Sequence, residues 1–165
     1  MSSLKKPLET ILVVAYMPIV LRTVVAILEG ANFLVLSADS GHAAIKLSEE
    51  RRQPIHLLLS DLDMPHMSGP ALGETLKIAR PEIHVMLMSG QLEGSLLVLN
   101  YGWAFIRKPF IATRLVEMVT DVLRSPNRSQ LGGEGFDSRK DTLENREAEA
   151  KRRRDQADAN AKRMI

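Results

Sequence analysis

Five short aliphatic runs alternate with helix-like segments between residues 10 and 124, and this alternation constrains the fold more than any other feature of the chain. The runs are continuously apolar, which predicts strands covered on both faces and therefore a parallel sheet. Right-handed crossovers between parallel strands place helices on both faces. We therefore expect a doubly wound α/β fold, with a five-stranded parallel sheet flanked by five helices. The predicted strands are Thr10–Ala15, Phe33–Ser37, Ile55–Ser60, Ile83–Met88 and Trp103–Ile106.

Turn and cap residues mark the ends of the predicted helices. Pro18 suits a first helical turn, where its missing N–H costs no hydrogen bond. Gly30 and Asn32 follow as helix-ending residues, and Ser40 is a suitable N-cap for the second helix. Apolar residues recur at helical spacing inside these segments. The predicted helices are Pro18–Glu29, Ser40–Arg52, Gly69–Arg80, the short segment Ser95–Tyr101, and Ile111–Leu123.

The absence of cysteine from all 165 residues excludes thiol catalysis, zinc–thiolate sites and a disulfide framework. It also fits a protein of the reducing cytoplasm. The apolar run from Ile11 to Tyr16 is too short for a signal-peptide core or a membrane span. We therefore predict a cytoplasmic protein that is neither secreted nor embedded in a membrane.

Residues 126–165 differ in character from the rest of the chain. Residues 1–125 carry 12 basic and 12 acidic side chains, whereas residues 126–165 carry 10 and 8. After a turn-rich stretch from Ser125 to Gly135, the chain consists mostly of charged residues and alanine, with no apolar stripe. We therefore expect one folded domain over residues 1–125 and a disordered or solvated helical tail over residues 126–165.

Polar side chains follow three of the predicted strands. Asp61 follows the third strand, Ser89 the fourth and Lys108 the fifth. In a parallel sheet the carboxyl ends of the strands meet at one edge, where ligands bind. A carboxylate there can attack a phosphoryl group and hold it as an acyl phosphate, while an ammonium and a hydroxyl bind its oxygens. Taken singly, each residue also fits an ordinary role: a cap or turn for Asp61, a turn for Ser89, a solvated position for Lys108.

The residues around these positions resemble the receiver domain of two-component response regulators. Residues 61–69 (DLDMPHMSG) are similar to the phosphorylation loop of that family. The motifs MSG at residues 88–90 and KPF at residues 108–110 follow in the family's order and at its spacing. The resemblance covers residues 10 to about 124. It implies a CheY-like, flavodoxin-like fold with strand order 2-1-3-4-5.

The resemblance also implies a role for each site residue. Asp61 would be the phosphoacceptor, Ser89 the hydroxyl that follows the phosphoryl group, and Lys108 the cation that binds it. Phe105 falls at the family's aromatic switch position. The bond between Lys108 and Pro109 falls at the cis-like turn that follows the fifth strand.

A signalling role, rather than an enzymatic one, follows from this resemblance. A histidine kinase or a phosphotransfer protein donates phosphate to Asp61, and Ser89 and Phe105 then shift inward. The surface formed by the last strand and the last two helices is thereby reshaped for a downstream protein target, as a shift of population between two states. The sequence leaves open whether the chain also forms a homodimer through its last helix and strand.

The loop after the first strand departs from the family pattern. Response regulators carry two or three acidic residues there, which help to hold Mg²⁺ beside the acceptor, but this chain has Ala15, Tyr16 and Met17. Asp61 must then supply nearly all of the anionic metal coordination, with Asp63 as the nearby carboxylate that could assist it. We therefore predict that Mg²⁺ binds weakly or not at all, and that phosphotransfer to Asp61 is weakened.

Three other functions fit parts of the sequence. A degenerate receiver acting as a phosphorylation-independent interaction module would use Phe33, Trp103, Phe110 and the Leu96–Leu99 run. The spacing of Asp61 and Asp63 is that of an aspartate-nucleophile phosphatase, but Met-Pro follows and the other motifs of such enzymes are missing. The basic stretch at residues 151–154 suggests DNA binding, although interspersed acids and the lack of a helix-turn-helix pattern argue against a nucleic-acid partner.

Overall fold

The sheet expected from the aliphatic runs is present in the computed structural model, which describes residues 6–91 and 101–127. Five parallel strands form one sheet in the order β2-β1-β3-β4-β5, as predicted. The strands are β1 Thr10–Val14, β2 Leu34–Ala38, β3 Leu57–Asp61, β4 His84–Ser89 and β5 Ala104–Arg107.

Four helices lie within the described residues and agree with four of the five predicted ones. They are α1 Pro18–Gly30, α2 Gly41–Glu50, α3 Gly69–Ala79 and α4 Ala112–Arg124. Of the predicted segment Ser95–Tyr101, only Tyr101 lies inside the described residues. Ser40 is the N-cap of α2, where its Oγ accepts a hydrogen bond from the Ala43 N–H at 3.3 Å.

Several strands lie one or two residues further along the chain than their apolar runs. The prediction ended β3 at Ser60 and β4 at Met88, whereas the strands end at Asp61 and Ser89. The reason is that strand limits follow backbone pairing with the neighbouring strand, and hydrophobicity does not control that pairing. Asp61 pairs with Met88 across the sheet. Consequently the sheet itself, and not a loop, holds the backbone of both polar residues.

Two apolar layers, one on each face of the sheet, form the core. Alternate strand residues point to opposite faces, so Leu12 and Val14 belong to one layer and Ile11 and Val13 to the other. The first layer includes buried residues of α2 and α3, and the second includes buried residues of α1 and α4. The aromatic residues considered for a protein surface are partly buried against these layers: Trp103 against the first, Phe33 and Phe110 against the second.

The described part of the chain contains no helix of the length and apolarity needed to cross a lipid bilayer. Most of the predicted tail, residues 128–165, lies outside the described residues, as does the Leu96–Leu99 run. The basic stretch at residues 151–154 lies outside them as well.

Candidate functional site

The carboxyl edge of the sheet brings the predicted site residues into neighbouring positions. Asp61 is the last residue of β3 and Ser89 the last residue of β4. Arg107 ends β5 opposite Ser89, and the backbone N–H of Lys108 donates to the Ser89 carbonyl oxygen at 2.8 Å. The order of the strands therefore places the three residues on consecutive strand ends.

Asp61 and Lys108 form an ion pair at this edge. The Lys108 Nζ lies 2.8 Å from Asp61 Oδ1 and donates a hydrogen bond to it. The Asp61 side chain is only 2% exposed, whereas the Lys108 side chain is 27% exposed. Charge-assisted hydrogen bonds of this kind are among the stronger polar contacts in proteins. Lys108 therefore holds one carboxylate oxygen of Asp61 in a defined position.

The second carboxylate oxygen of Asp61 has a different environment. Asp61 Oδ2 is buried and has no hydrogen-bond partner among the described residues. A buried acceptor without a partner is costly, and in folded proteins such atoms cluster at functional sites and ligand positions. Oδ2 is therefore the atom of this edge to which a bound electrophile or cation would give a partner.

The loop after β1 gives little support for a bound Mg²⁺ ion. Val14 pairs with Ser60, so Ala15 lies next to Asp61 in the register. The buried methyl group of Ala15 occupies a position at which the resembled family carries a carboxylate. The next two side chains, Tyr16 and Met17, are 47% and 43% exposed and offer no carboxylate. Asp63 is exposed, and Asp61 is the one buried acidic residue of the described chain.

The available oxygen donors therefore fit Mg²⁺ poorly. Mg²⁺ needs near-octahedral oxygen coordination and loses its water reluctantly, so a site with one buried carboxylate gives it little to bind. Within residues 6–91 and 101–127, no three acidic, histidine or cysteine side chains are grouped closely enough to hold a metal ion.

Ser89 ends β4, and Phe105 lies within the neighbouring β5, where it pairs with Leu87. Ser89 is buried, and its Oγ accepts a hydrogen bond from the Gln91 N–H at 3.1 Å. A hydroxyl that accepts in this way still has its own proton to donate. Phe105 is partly buried against the first apolar layer. The Lys108–Pro109 peptide bond is cis, as the resemblance implied.

Gly69 is a site residue to which the sequence reasoning gave no role. A Cβ at this position would collide with the carbonyl oxygen of Asp61, and the Gly69 N–H donates to the Leu62 carbonyl oxygen at 2.8 Å. Only glycine allows the loop after β3 to fold back this closely onto the strand end. The glycine in the DLDMPHMSG motif was the available signal, but the motif alone does not tell what the glycine contacts.

An apolar cleft of about 410 Å³ beside Lys108 was also not predicted. It lies between α1 and the residues that follow β5, and it includes Val20, Pro109 and Phe110 in its lining. Exposed apolar side chains occur in the loop after β1, on the first turn of α1 and at the N-cap of α4. We call these four the apolar rim: Tyr16, Met17, Ile19 and Ile111. Contiguous exposed apolar surface is a common mark of protein-binding sites.

Comparison with known sequences relates the chain to one family. The profile of the family described as response regulator receiver domain matches residues 11–120. The sensor kinase CckA of Brucella abortus (strain 2308) is 30% identical over 99 residues, which is 58% of this chain and 10% of that protein. The transcriptional regulatory protein NatR of Bacillus subtilis (strain 168) is 30% identical over 103 residues, which is 61% of this chain and 42% of that protein. The chain thus corresponds to less than half the length of either relative.

Solved structures give the same relationship. A response regulator receiver domain protein (CheY-like) from Methanospirillum hungatei JF-1 superposes with a TM-score of 0.64 at 28% sequence identity. The match covers 77% of this chain and all of that one, 100%. The similarity therefore extends over about three quarters of this chain and the full length of that structure.

Proposed function

Because this chain belongs to the response regulator receiver domain family, we propose that Asp61 is its phosphoacceptor and that its first loop weakens the Mg²⁺-dependent reaction. Receiver domains are modules of two-component signalling. We propose a histidine kinase or a phosphotransfer protein as the phosphate donor and a protein target as the output. The observation that carries the proposal is the state of the Asp61 carboxylate, with Oδ1 held by Lys108 and Oδ2 without a partner among the described residues.

The arrangement supports nucleophilic attack by Asp61 Oδ2 on phosphorus. As the new O–P bond forms, the P–N bond of a phosphohistidine donor breaks, and the donor imidazole leaves with the electron pair. The product is an acyl phosphate on Asp61. The Lys108 ammonium, 2.8 Å from Oδ1, is near enough to pair with the phosphoryl oxygens, and the Ser89 hydroxyl has a proton to donate to one of them.

The first loop is the reason to expect a slow reaction. Phosphate and carboxylate repel each other as they approach, and a metal ion normally offsets that charge. In this chain Lys108 is the cation that contacts Asp61, while Ala15 and Tyr16 supply no charge for a metal. Asp63 is the carboxylate we propose as an auxiliary metal ligand, and its exposure makes its contribution small.

Restoring the acidic loop provides the test of this proposal. The purified chain is incubated with acetyl phosphate and Mg²⁺, and phosphorylation is measured by intact mass. We expect slow gain of one phosphoryl group by the wild-type chain and faster gain by the Ala15→Asp/Tyr16→Asp variant. Mg²⁺ affinity, read from the Mg²⁺-dependent rise in melting temperature, should increase by about 10- to 100-fold in that variant.

Two controls separate charge from packing. The Ala15→Asn/Tyr16→Asn variant has nearly the same shape without the carboxylates and should behave like the wild type. Asp61→Ala should abolish the mass gain in every background. Rapid, Mg²⁺-dependent phosphorylation of the unmodified chain would contradict the weakened reaction, and persistence of the mass gain in Asp61→Ala would contradict the assignment of the acceptor.

A second candidate function is a phosphorylation-independent interaction module, which the apolar rim favours. The side chains that replace acids in the first loop, Tyr16 and Met17, are exposed, and so is Ile19 on α1, which lines the apolar cleft. If the chain is such a module, the Asp61→Asn variant should retain the cellular function of the protein in the source organism. The Ile19→Glu variant should lose that function. The phosphoacceptor proposal expects the Asp61→Asn allele to lose it.

A further inference from the structure

A second cavity lies at the amino edge of the sheet, at the opposite end of the strands from Asp61. Its volume is about 540 Å³, within the range of small-molecule sites. It lies between the beginnings of β4 and β5 and the end of α4, and its lining includes none of Asp61, Ser89 and Lys108. We call it the amino-edge cavity. The groups that matter below are Lys77, His84, Tyr101, Trp103 and Asn127.

One wall of the amino-edge cavity is aromatic and fixed in place. The rings of Tyr101 and Trp103 are stacked, with centroids 4.4 Å apart and an interplanar angle of 19°. The indole packs closely on α3, where a Cβ added to Gly73 would lie 2.8 Å from Trp103 Cη2. Burial raises the pKa of the Tyr101 hydroxyl, and the nearby Glu74 carboxylate acts in the same direction. This wall is therefore a preformed flat surface of the kind on which aromatic ligands stack.

A second group in the lining is cationic. The Lys77 Nζ donates to the Oδ1 of Asn127 at 3.1 Å. Asn127 is itself buried, and its Nδ2 donates to the backbone carbonyls that precede β4. Burial lowers the pKa of Lys77, and burial together with the Lys77 charge lowers the pKa of His84. A bound anion would offset both effects, because it favours the charged forms of these two side chains.

Nearby acids limit how much negative charge the cavity can accept. Glu82 interacts with Lys77 and Glu9 interacts with His84, and both raise the pKa of their partners. Glu74 likewise adds negative charge at the aromatic wall, where it raises the pKa of the Tyr101 hydroxyl. The surroundings therefore favour a ligand with one negative charge over a polyanion such as a nucleoside diphosphate.

We infer that the amino-edge cavity binds a planar aromatic monocarboxylate, whose ring stacks at Tyr101 and Trp103 while its carboxylate pairs with Lys77. Such a site is independent of phosphorylation at Asp61. It would let the chain respond to a small metabolite through β4 and β5, the strands that carry Ser89 and Phe105 toward the opposite edge.

The single tryptophan of the chain makes this inference directly testable. The full-length ¹⁵N-labelled chain is titrated with benzoate, and the indole N–H resonance of Trp103 is followed by NMR. We expect a saturable shift with a Kd of about 1 mM or tighter. Benzamide, which keeps the ring but lacks the charge, and acetate, which keeps the charge but lacks the ring, should each bind at least about tenfold more weakly.

Two lysine variants complete the experiment. Lys77→Met should weaken benzoate binding by about tenfold, because it removes the charge and keeps the length of the side chain. Lys46→Met, at an exposed position of α2, should leave binding unchanged. An unshifted indole resonance, equal affinity for benzamide, or full benzoate affinity in Lys77→Met would each overturn the inference. Preserved amide spectra of both variants establish that they are folded.

Discussion

The contact between Asp61 and Lys108 joins residues that lie 47 positions apart in the chain. The carboxylate has almost no solvent contact, whereas the ammonium remains partly hydrated. A buried carboxylate is tolerated only when a partner offsets the loss of water. The pair is therefore an asymmetric one, in which Asp61 depends on Lys108 more than Lys108 depends on Asp61.

Replacing the cation should reveal this dependence. We expect Lys108→Met to lower the free energy of unfolding by about 1–3 kcal/mol, since it leaves Asp61 without the hydrogen bond to its Oδ1. In an Asp61→Asn background the same substitution should cost much less, because no charge then needs a partner. Urea unfolding of the two single variants and the double variant measures the coupling. If Lys108→Met lowered the free energy of unfolding equally in the wild-type and Asp61→Asn backgrounds, the ion pair would contribute nothing to stability.

The residues of the first loop show what sequence reasoning could and could not reach at this scale. The sequence shows that Ala15, Tyr16 and Met17 lack carboxylates. It does not show what surrounds these three residues in the folded chain. Burial of Ala15 beside Asp61 depends on the pairing of β1 with β3, and exposure of Tyr16 depends on the path of the loop. Neither follows from residue type alone.

Helix α3 packs so tightly against the start of β5 that one of its residues has no room for a side chain. Gly73 faces Trp103, and an added Cβ would also lie 3.2 Å from Val85 Cγ1. Glycine inside a helix normally costs stability relative to alanine. Here the packing outweighs the helix propensity, because the indole occupies the space that a methyl group would need.

A pair of glycine substitutions tests this reading of α3. Gly73→Ala should destabilise the protein by about 1–3 kcal/mol, because overpacking a rigid site costs more than the helix gains. Gly30→Ala, at the end of α1, meets nothing within 4 Å and should be neutral or slightly stabilising. Both values come from urea unfolding. A stabilised Gly73→Ala variant would show that the indole moves aside at little cost.

At the level of elements, the aliphatic runs predicted the strands well because parallel strands are covered on both faces and need no alternation. The strand ends were displaced by one or two residues, since Asp61 and Ser89 are polar yet pair with their neighbours. The contact between Gly73 and Trp103 was not predictable, because it joins two segments whose distance in space depends on the packing of α3.

At the scale of the whole described body, polar side chains are grouped at both edges of the sheet. The carboxyl edge contains the Asp61–Lys108 pair, while the amino edge contains His56, His84 and Lys77. His84 and His56 adjoin in the sheet, since the His84 N–H donates to the His56 carbonyl oxygen at 3.0 Å. The order of the strands predicted the first grouping. The second was not predicted, because ligand sites were expected only at the carboxyl edge.

The lowered pKa of His84 makes the folded state sensitive to acid. Burial is the main cause, and the charges of Lys77 and His56 act in the same direction against the opposing effect of Glu9. Below the ordinary histidine value of 6.5, the unfolded chain therefore binds more protons at this position than the folded chain. The contribution of the neutral His84 side chain to stability is therefore present above pH 6.5, and it is lost as the pH falls through the pKa of His84 in the folded state.

Thermal unfolding between about pH 7 and pH 5 provides the measurement. The His84→Gln variant should lose less stability than the wild type over this range, since glutamine does not titrate. His42→Gln, at an exposed position of α2, serves as the control and should follow the wild-type curve. Parallel curves for the wild type and His84→Gln would exclude a role for His84 in the acid response.

The position of Asn127 has a practical consequence. Its side chain donates to the carbonyls of Glu82 and Ile83, directly before β4, and so holds the last described residue at the amino edge of the sheet. Asp61 lies at the far end of the strands, and the six residues of β4 span about 20 Å. A fluorescent reporter or an affinity handle attached directly after Asn127 therefore has its point of attachment a full strand length away from the carboxylate.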